Sequence, residues 1–191
     1  RLFWACHQAG TFRTFTARRV GAAWVGAITL SVSAGGGCRE PFALMDASGR
    51  VWAFWSRREG VGTPDDRWTL RYRRLLFAGT DIWLAEPANP VLPLTASDRQ
   101  PAALRIGTLF QLFFQSNRTG SSDVWSVLFN PATGLVEPPG TPTVMLIGPA
   151  ADHVPTPLVL PDGRVGMLFR SDRGFDLALI LHEHHAQALG G

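Results

Sequence analysis

The stretch Leu109-Phe110-Gln111-Leu112-Phe113-Phe114-Gln115-Ser116-Asn117-Arg118-Thr119-Gly120-Ser121-Ser122-Asp123-Val124-Trp125 decides the fold. Its opening run is almost continuously apolar. That is too continuous for a strand with one face in water and too short for a buried helix. Ser116 to Gly120 then supply turn chemistry: short polar side chains that bond the local backbone, and a glycine that tolerates positive φ. Asp123-Val124-Trp125-Ser126-Val127 resumes with β-branched and aromatic residues. A strand buried on both faces, a tight reversal and a returning strand are expected.

The same order recurs on either side. Upstream, Val51-Trp52-Ala53-Phe54-Trp55-Ser56-Arg57-Arg58-Glu59-Gly60 leads to Asp66-Arg67-Trp68-Thr69-Leu70. Downstream, Val165-Gly166-Met167-Leu168-Phe169-Arg170-Ser171-Asp172-Arg173-Gly174 leads to Asp176-Leu177. Each copy is preceded by a proline segment: Arg39-Glu40-Pro41, Asp98-Arg99-Gln100-Pro101 and Asp152-His153-Val154-Pro155. The anchor serines Ser56, Ser116 and Ser171 lie 60 and 55 residues apart. An incomplete copy, Phe3-Trp4-Ala5-Cys6-His7-Gln8-Ala9-Gly10 followed by Arg13-Thr14-Phe15-Thr16-Ala17-Arg18-Arg19, comes first.

Each unit reads as four strands. A short first strand follows the proline (Phe42 to Met45, Ala102 to Ile106, Thr156 to Leu160). A glycine turn such as Pro161-Asp162-Gly163 leads into the apolar second strand. The serine–glycine turn reverses into an alternating third strand, as in Trp68-Thr69-Leu70-Arg71-Tyr72-Arg73, whose Thr/Arg face is expected in solvent. A poorer fourth strand returns through Asp81 to Leu84, Leu135 to Glu137 or Val144 to Ile147. His182 to Leu189 is the one helical candidate. Four-stranded antiparallel units in tandem predict an all-β fold of the β-propeller type, with about three and a half blades. The expected divisions are residues 1–37 (incomplete blade), 38–97, 98–151 and 152–191 (incomplete blade). The chain opens on Arg1, and its blade number is not whole, so further blades from the same chain or from an associating one are expected.

This combination, Phe-x-Ser-x-Arg-x-Gly followed by Asp-x-Trp, resembles the TolB-type β-propeller repeat, in which Ser-Asp-Arg-x-Gly and Asp-Ile-Tyr recur in each blade. The nearest matches are Ser171 to Leu177 and Ser116 to Trp125. Ser56 to Gly60 matches with an insertion before Asp66, whereas the first copy has Cys6 and Gln8 in place of the serine and arginine. The resemblance implies a propeller and a periplasmic or extracellular location. The sialidase Asp-box order is not met.

The repeat residues read as a structural motif: Ser56, Arg58, Gly60, Asp66 and Trp68; Ser116, Arg118, Gly120, Asp123 and Trp125; Ser171, Arg173, Gly174 and Asp176. Each arginine is expected to pair with the aspartate that opens the next strand, Arg118 with Asp123 and Arg173 with Asp176.

Composition narrows function further. The 191 residues are 46% hydrophobic and 17% charged with a net charge of +3, enough for a core but too weak an excess to indicate nucleic acid. Every basic residue is arginine; residues 1–39 carry five and no acid. No apolar run is long enough to span a bilayer as a helix. Cys6 and Cys38 read as two free thiols. His182-Glu183-His184-His185 lacks the converging ligands a metal site needs, so neither metal nor cofactor is expected. Arg67 to Arg74 interleaves cations and aromatics, but a strand with one wet face does the same. Glycoside hydrolysis needs two facing carboxylates, and Asp46, Asp65, Asp66, Asp162 and Asp172 read as turn caps instead. No nucleophile elbow or Cys–His signature occurs, so no catalytic residue is assigned. The expected function is a non-enzymatic scaffold or protein-interaction module. A carbohydrate-binding propeller, or one accompanying a hydrolase or glycosidase, is the alternative.

Overall fold

In a computed structural model, residues 2–31, 36–78, 82–85, 89–93, 95–137, 141–146, 150–172 and 177–182 are described. Among them there is no helix. The chain folds as a propeller-type array of four antiparallel sheets. The first contains β1 (Leu2–Gln8), β2 (Thr11–Val20) and β3 (Ala23–Thr29). The second contains β4 (Cys38–Met45), β5 (Val51–Glu59), β6 (Arg67–Ala78), β7 (Ile82–Ala85) and β8 (Asn89–Pro90). The third contains β9 (Asp98–Ile106), β10 (Leu109–Ser116), β11 (Asp123–Asn130), β12 (Leu135–Glu137) and β13 (Thr143–Leu146). The fourth contains β14 (Asp152–Val159), β15 (Val165–Ser171) and β16 (Leu177–His182). Strands follow one another across each sheet in chain order, with β8 and β13 joining β6 and β11 as additional pairings.

The apolar second strands are explained by burial on both faces. On β5, Trp52 and Phe54 point into one core while Ala53 and Trp55 point into another. On β10, Phe110, Leu112 and Phe114 join the first of these, and Phe113 lies in a third. Each core is thus a seam between neighbouring sheets. Leu30 and Phe3 meet β5 between the first and second. Phe129 and Tyr72 interlock between the second and third. Val165, Met167 and Phe169 meet Phe113 and Val124 between the third and fourth. Fully burying each such side chain contributes about 1.5–3 kcal/mol. Alternation along the strand is therefore a choice of neighbouring blade, not of core against water.

This corrects the solvated face expected for the third strand of the second sheet. Thr69 is buried, Arg71 pairs with Glu59 at 2.6 Å, and Arg73 Nη1 donates to the Leu30 carbonyl at 2.6 Å. Thr69 and Arg71 are thus engaged within their own sheet by Arg57 and Glu59, while Arg73 reaches across to Leu30, just after β3.

The first strands also start earlier than expected, because the proline lies inside them. Arg39 pairs with Ser56 and Phe42 with Phe54, so Glu40 and Pro41 together oppose a single residue. The same two-against-one bulge places Gln100-Pro101 opposite Phe114, and Val154-Pro155 opposite Phe169. A bulge frees its residues from the ladder, which suits a proline that has no N–H to give. The helical candidate from His182 lies outside the described residues beyond that position, and His182 itself ends β16.

Candidate functional site in the axial pocket

The first strands β4, β9 and β14 pack on one another in succession, as the innermost strands of adjacent blades do. Their three bulges come together there. Glu40, Gln100 and Val154 hold φ of 56°, 55° and 52°, a left-handed conformation that costs a non-glycine residue about 1–3 kcal/mol. The strain recurs at one repeat position in three blades, and bulges of this kind re-aim side chains beside functional sites. Here they bound a cavity of about 320 Å³, whose walls include Glu40, Phe42, Gln100, Val154 and the three prolines Pro41, Pro101 and Pro155.

Glu40 is the polar centre of this cavity. Arg99 donates to Oε1 at 2.7 Å, while Ser56 Oγ at 2.6 Å and the Gln100 backbone N–H at 2.9 Å donate to Oε2. The Gln100 N–H is shared with Ser56 Oγ at 2.9 Å. The Gln100 side-chain Oε1 accepts the Val154 N–H at 2.8 Å, so one network ties the three inner strands together. A carboxylate has about four lone-pair sites, and the network fills three, leaving one on Oε1. Beside the cavity, His153 Nε2 lies 3.1 Å from Asp172. Trp68 carries the guanidinium groups of Arg99 and Arg39 at 5.5 and 5.8 Å from its ring centre.

The repeat residues divide between this site and the turns. Ser56 is buried and positions Glu40, a role the repeat pattern did not reveal. Ser116 is buried and accepts from Arg118 at 2.8 Å. Arg58 pairs with Asp66 through two bonds of 2.8 and 2.6 Å, and Arg58 holds the Asp66 carboxyl below the usual carboxylate range. The pairing of Arg118 with Asp123 is not formed. Arg118 turns to Asp98 with two bonds, one of them 2.8 Å, while Asp123 accepts from Thr119 and Ser121. The reason is local. The third sheet begins with Asp98, set opposite Ser116 within reach of the turn arginine, whereas the second begins with Cys38 and offers Arg58 no carboxylate at that position. Gly60 and Gly120 have φ of 62° and 98°, as the turns require. Trp125 packs at the edge of the core, with Arg118 at 5.9 Å from its ring centre. Arg173, Gly174 and Asp176, and the pairing expected of them, lie outside the described residues. So do Glu183, His184 and His185.

Turn capping holds for Asp46, at the opposite end of β4. Burial opposes its ionisation, but bonds from the Trp52 indole, from Arg50 and from the Ser48 N–H outweigh it and hold the carboxyl below its ordinary range. Asp162 likewise caps its turn and pairs with Arg164. Cys6 and Cys38 are free thiols, and burial pushes the Cys38 thiol up. No group of three His, Cys, Asp or Glu side chains suited to a metal occurs among the described residues. Among the described residues no helix is long and apolar enough to cross a membrane, since none forms.

Glu40 belongs to the proline segment of the repeat and is not singled out by the repeat pattern. The available signal was the departure from it: the residue before the repeat proline is Glu, Gln and Val in successive copies, a variable chemistry at a constant structural position.

No protein-family model and no curated protein sequence matches the chain. Solved structures do. An endo-arabinase from Bacteroides thetaiotaomicron superposes with a TM-score of 0.57 at 12% identity, covering 97% of this chain and 71% of that one. The Cellvibrio cellulosa α-L-arabinanase, solved with arabinohexaose, gives 0.56 at 15% identity, covering 94% and 68%. A family 117 glycoside hydrolase from the marine bacterium Zobellia galactanivorans gives 0.51 at 15% identity, covering 75% of this chain; the match spans 51% of that enzyme's length. These likenesses establish the propeller fold. The expectation of a non-enzymatic scaffold is corrected by them: the neighbours are glycoside hydrolases.

Proposed function

We propose that this chain is the propeller of a glycoside hydrolase, and that a glycan enters the axial cavity to meet Glu40. The observation that carries the proposal is the strained, three-blade bulge cluster that aims one carboxylate into a cavity on the inner strands. The glycoside hydrolase neighbours support it. Propeller enzymes gather their chemistry where inner strands converge, because each blade can there contribute one side chain to a common point.

The chemistry assigned to Glu40 follows from its partners. Ion-paired to Arg99, it is a carboxylate, hence an acceptor. Its remaining Oε1 lone pair receives a sugar hydroxyl or the proton of an attacking water. Ser56 and the Gln100 N–H fix the other oxygen, so the group cannot rotate away. Prolines on three sides give the sugar a stiff wall that loses little entropy on binding.

A second reading, glycan binding without cleavage, is favoured by one specific observation. Among the described residues Glu40 is the only acid on this cavity, whereas hydrolysis requires two carboxyl groups about 5–9.5 Å apart. One experiment separates the readings. Wild type and Glu40→Gln are offered arabino- and xylo-oligosaccharides, with binding followed by calorimetry and cleavage by new reducing ends. Cleavage abolished in the variant supports hydrolysis; binding without reducing ends supports the second reading. A folded protein that neither binds nor cleaves any glycan overturns both.

A further inference from the structure

Beside the axial cavity, a second depression of about 240 Å³ opens between the first and second sheets, walled by Phe12, Arg39, Arg58 and Trp68. We propose that it is a subsite for an acidic sugar, one carrying a carboxylate or a sulfate, with Arg39 as its anion-binding residue. The inference rests on the glycan reading of the axial cavity and names the class of glycan.

The chemistry of Arg39 sets it apart from its neighbours. Arg58, on the same wall, is doubly bonded to Asp66, and Arg99 is paired with Glu40. Arg39 is exposed and takes part in none of the ion pairs formed among the described residues. Its guanidinium lies over the Phe12 ring, 4.0 Å from the centre, and within 5.8 Å of the Trp68 ring centre. An aromatic face holds a guanidinium plane in place while leaving the in-plane N–H fork for an anion, the geometry that carboxylate and sulfate oxygens match. The depression therefore joins a cation already oriented, but not neutralised by an acid, to aromatic surface on which the C–H face of a sugar can pack.

Two further observations agree. Residues 1–39, which supply Phe12 and Arg39, contain no acid, so no carboxylate of that segment competes with a ligand for Arg39. Arg39 directly precedes Glu40 in β4, so the two depressions lie on either side of one peptide step. A glycan of two or more units could then seat one sugar at Glu40 and an acidic neighbour at Arg39.

The test is calorimetric, with oligogalacturonides (carboxylate), sulfated galactan oligosaccharides (sulfate) and neutral arabino-oligosaccharides of equal length. They are titrated into wild type, Arg39→Gln and Arg39→Lys, after circular dichroism and melting establish that the exposed substitutions leave the fold intact. The expected result is that at least one acidic glycan binds wild type about tenfold more tightly than Arg39→Gln. Arg39→Lys should be intermediate, binding should weaken with salt, and neutral glycans should not respond to the variants. The better acidic ligand identifies carboxylate or sulfate. Equal acidic binding by wild type and Arg39→Gln overturns the subsite; if neutral glycans still bind, the axial reading survives. Failure to bind any of the glycans overturns both.

Discussion

Phe129 is where the packing of the blades can be tested most severely. It is fully buried on β11 and meets rings of its own sheet and the next: Tyr72 at 4.9 Å, Trp52 at 5.4 Å, Phe54 at 5.5 Å and Phe110 at 6.3 Å between centres. Phe129→Ala removes this keystone without adding charge. Lost burial costs about 1.5–3 kcal/mol. If roughly 80 Å³ of cavity remains, it adds about 2 kcal/mol at about 24 cal/mol per Å³. The total, about 4 kcal/mol, is a large share of the roughly 5–15 kcal/mol that holds a typical domain together. Urea unfolding followed by tryptophan fluorescence is the assay, since Trp52 touches the lesion. With a slope of about 2.5 kcal/mol per molar, the midpoint should fall by roughly 1.6 M. Leu135→Ala, at a side chain 65% exposed, is the control and should change stability by less than about 0.5 kcal/mol. If Phe129→Ala loses no more than that control, the two central sheets do not share the core described, and the axial cavity between their inner strands loses its support.

Other perturbations address the turns and pH. The folded Asp46 carboxyl is held below its ordinary range, so it contributes stability above the unfolded carboxylate value of about 3.9 and loses it as pH falls through the folded value. Asp46→Asn should therefore be less stable than wild type near neutrality, with the difference shrinking in acid; an equal gap at both pH values in urea titrations would refute the linkage. Gly60→Ala should destabilise more than Gly49→Ala. Both need positive φ, costing about 1 kcal/mol, but only at Gly60 would a Cβ meet the Asp65 carbonyl oxygen, at 2.6 Å. Matching melting temperatures for the two variants would argue against that close approach. Ser56→Ala removes a hydroxyl from a charged acceptor and should cost about 1.5–3 kcal/mol, with weaker glycan binding as the readout that a purely structural serine would not show.

The aromatic run of β10 revealed the blade, because a strand buried on both faces leaves a continuous apolar signature that a half-exposed strand does not. The spacing of the serine–glycine turns revealed the tandem order. The destination of polar groups was less legible. Arg71 and Arg73 alternate as a wet face would, yet Arg71 pairs with Glu59 inside its own sheet and Arg73 reaches the Leu30 carbonyl, since guanidinium groups can be buried when carbonyls and carboxylates meet them. Asp123 is five residues from Arg118 and Asp98 is 20, and strand pairing sets both opposite Ser116, yet Arg118 bonds the more distant one, a choice that sequence proximity does not reveal. Glu40 was hidden for a related reason. Its importance comes from positive φ at a bulge and from partners about 16 and 60 residues away, none of which is a local property of the chain.

The location of a bound glycan tests the central claim most directly. A crystal of the protein soaked with arabinohexaose or an oligogalacturonide should show a sugar ring over Pro41, Pro101 and Pro155, with a hydroxyl within hydrogen-bond distance of Glu40 Oε1. An acidic neighbour should reach Arg39. A glycan bound elsewhere on the molecule, with the cavity around Glu40 empty, would contradict the axial site.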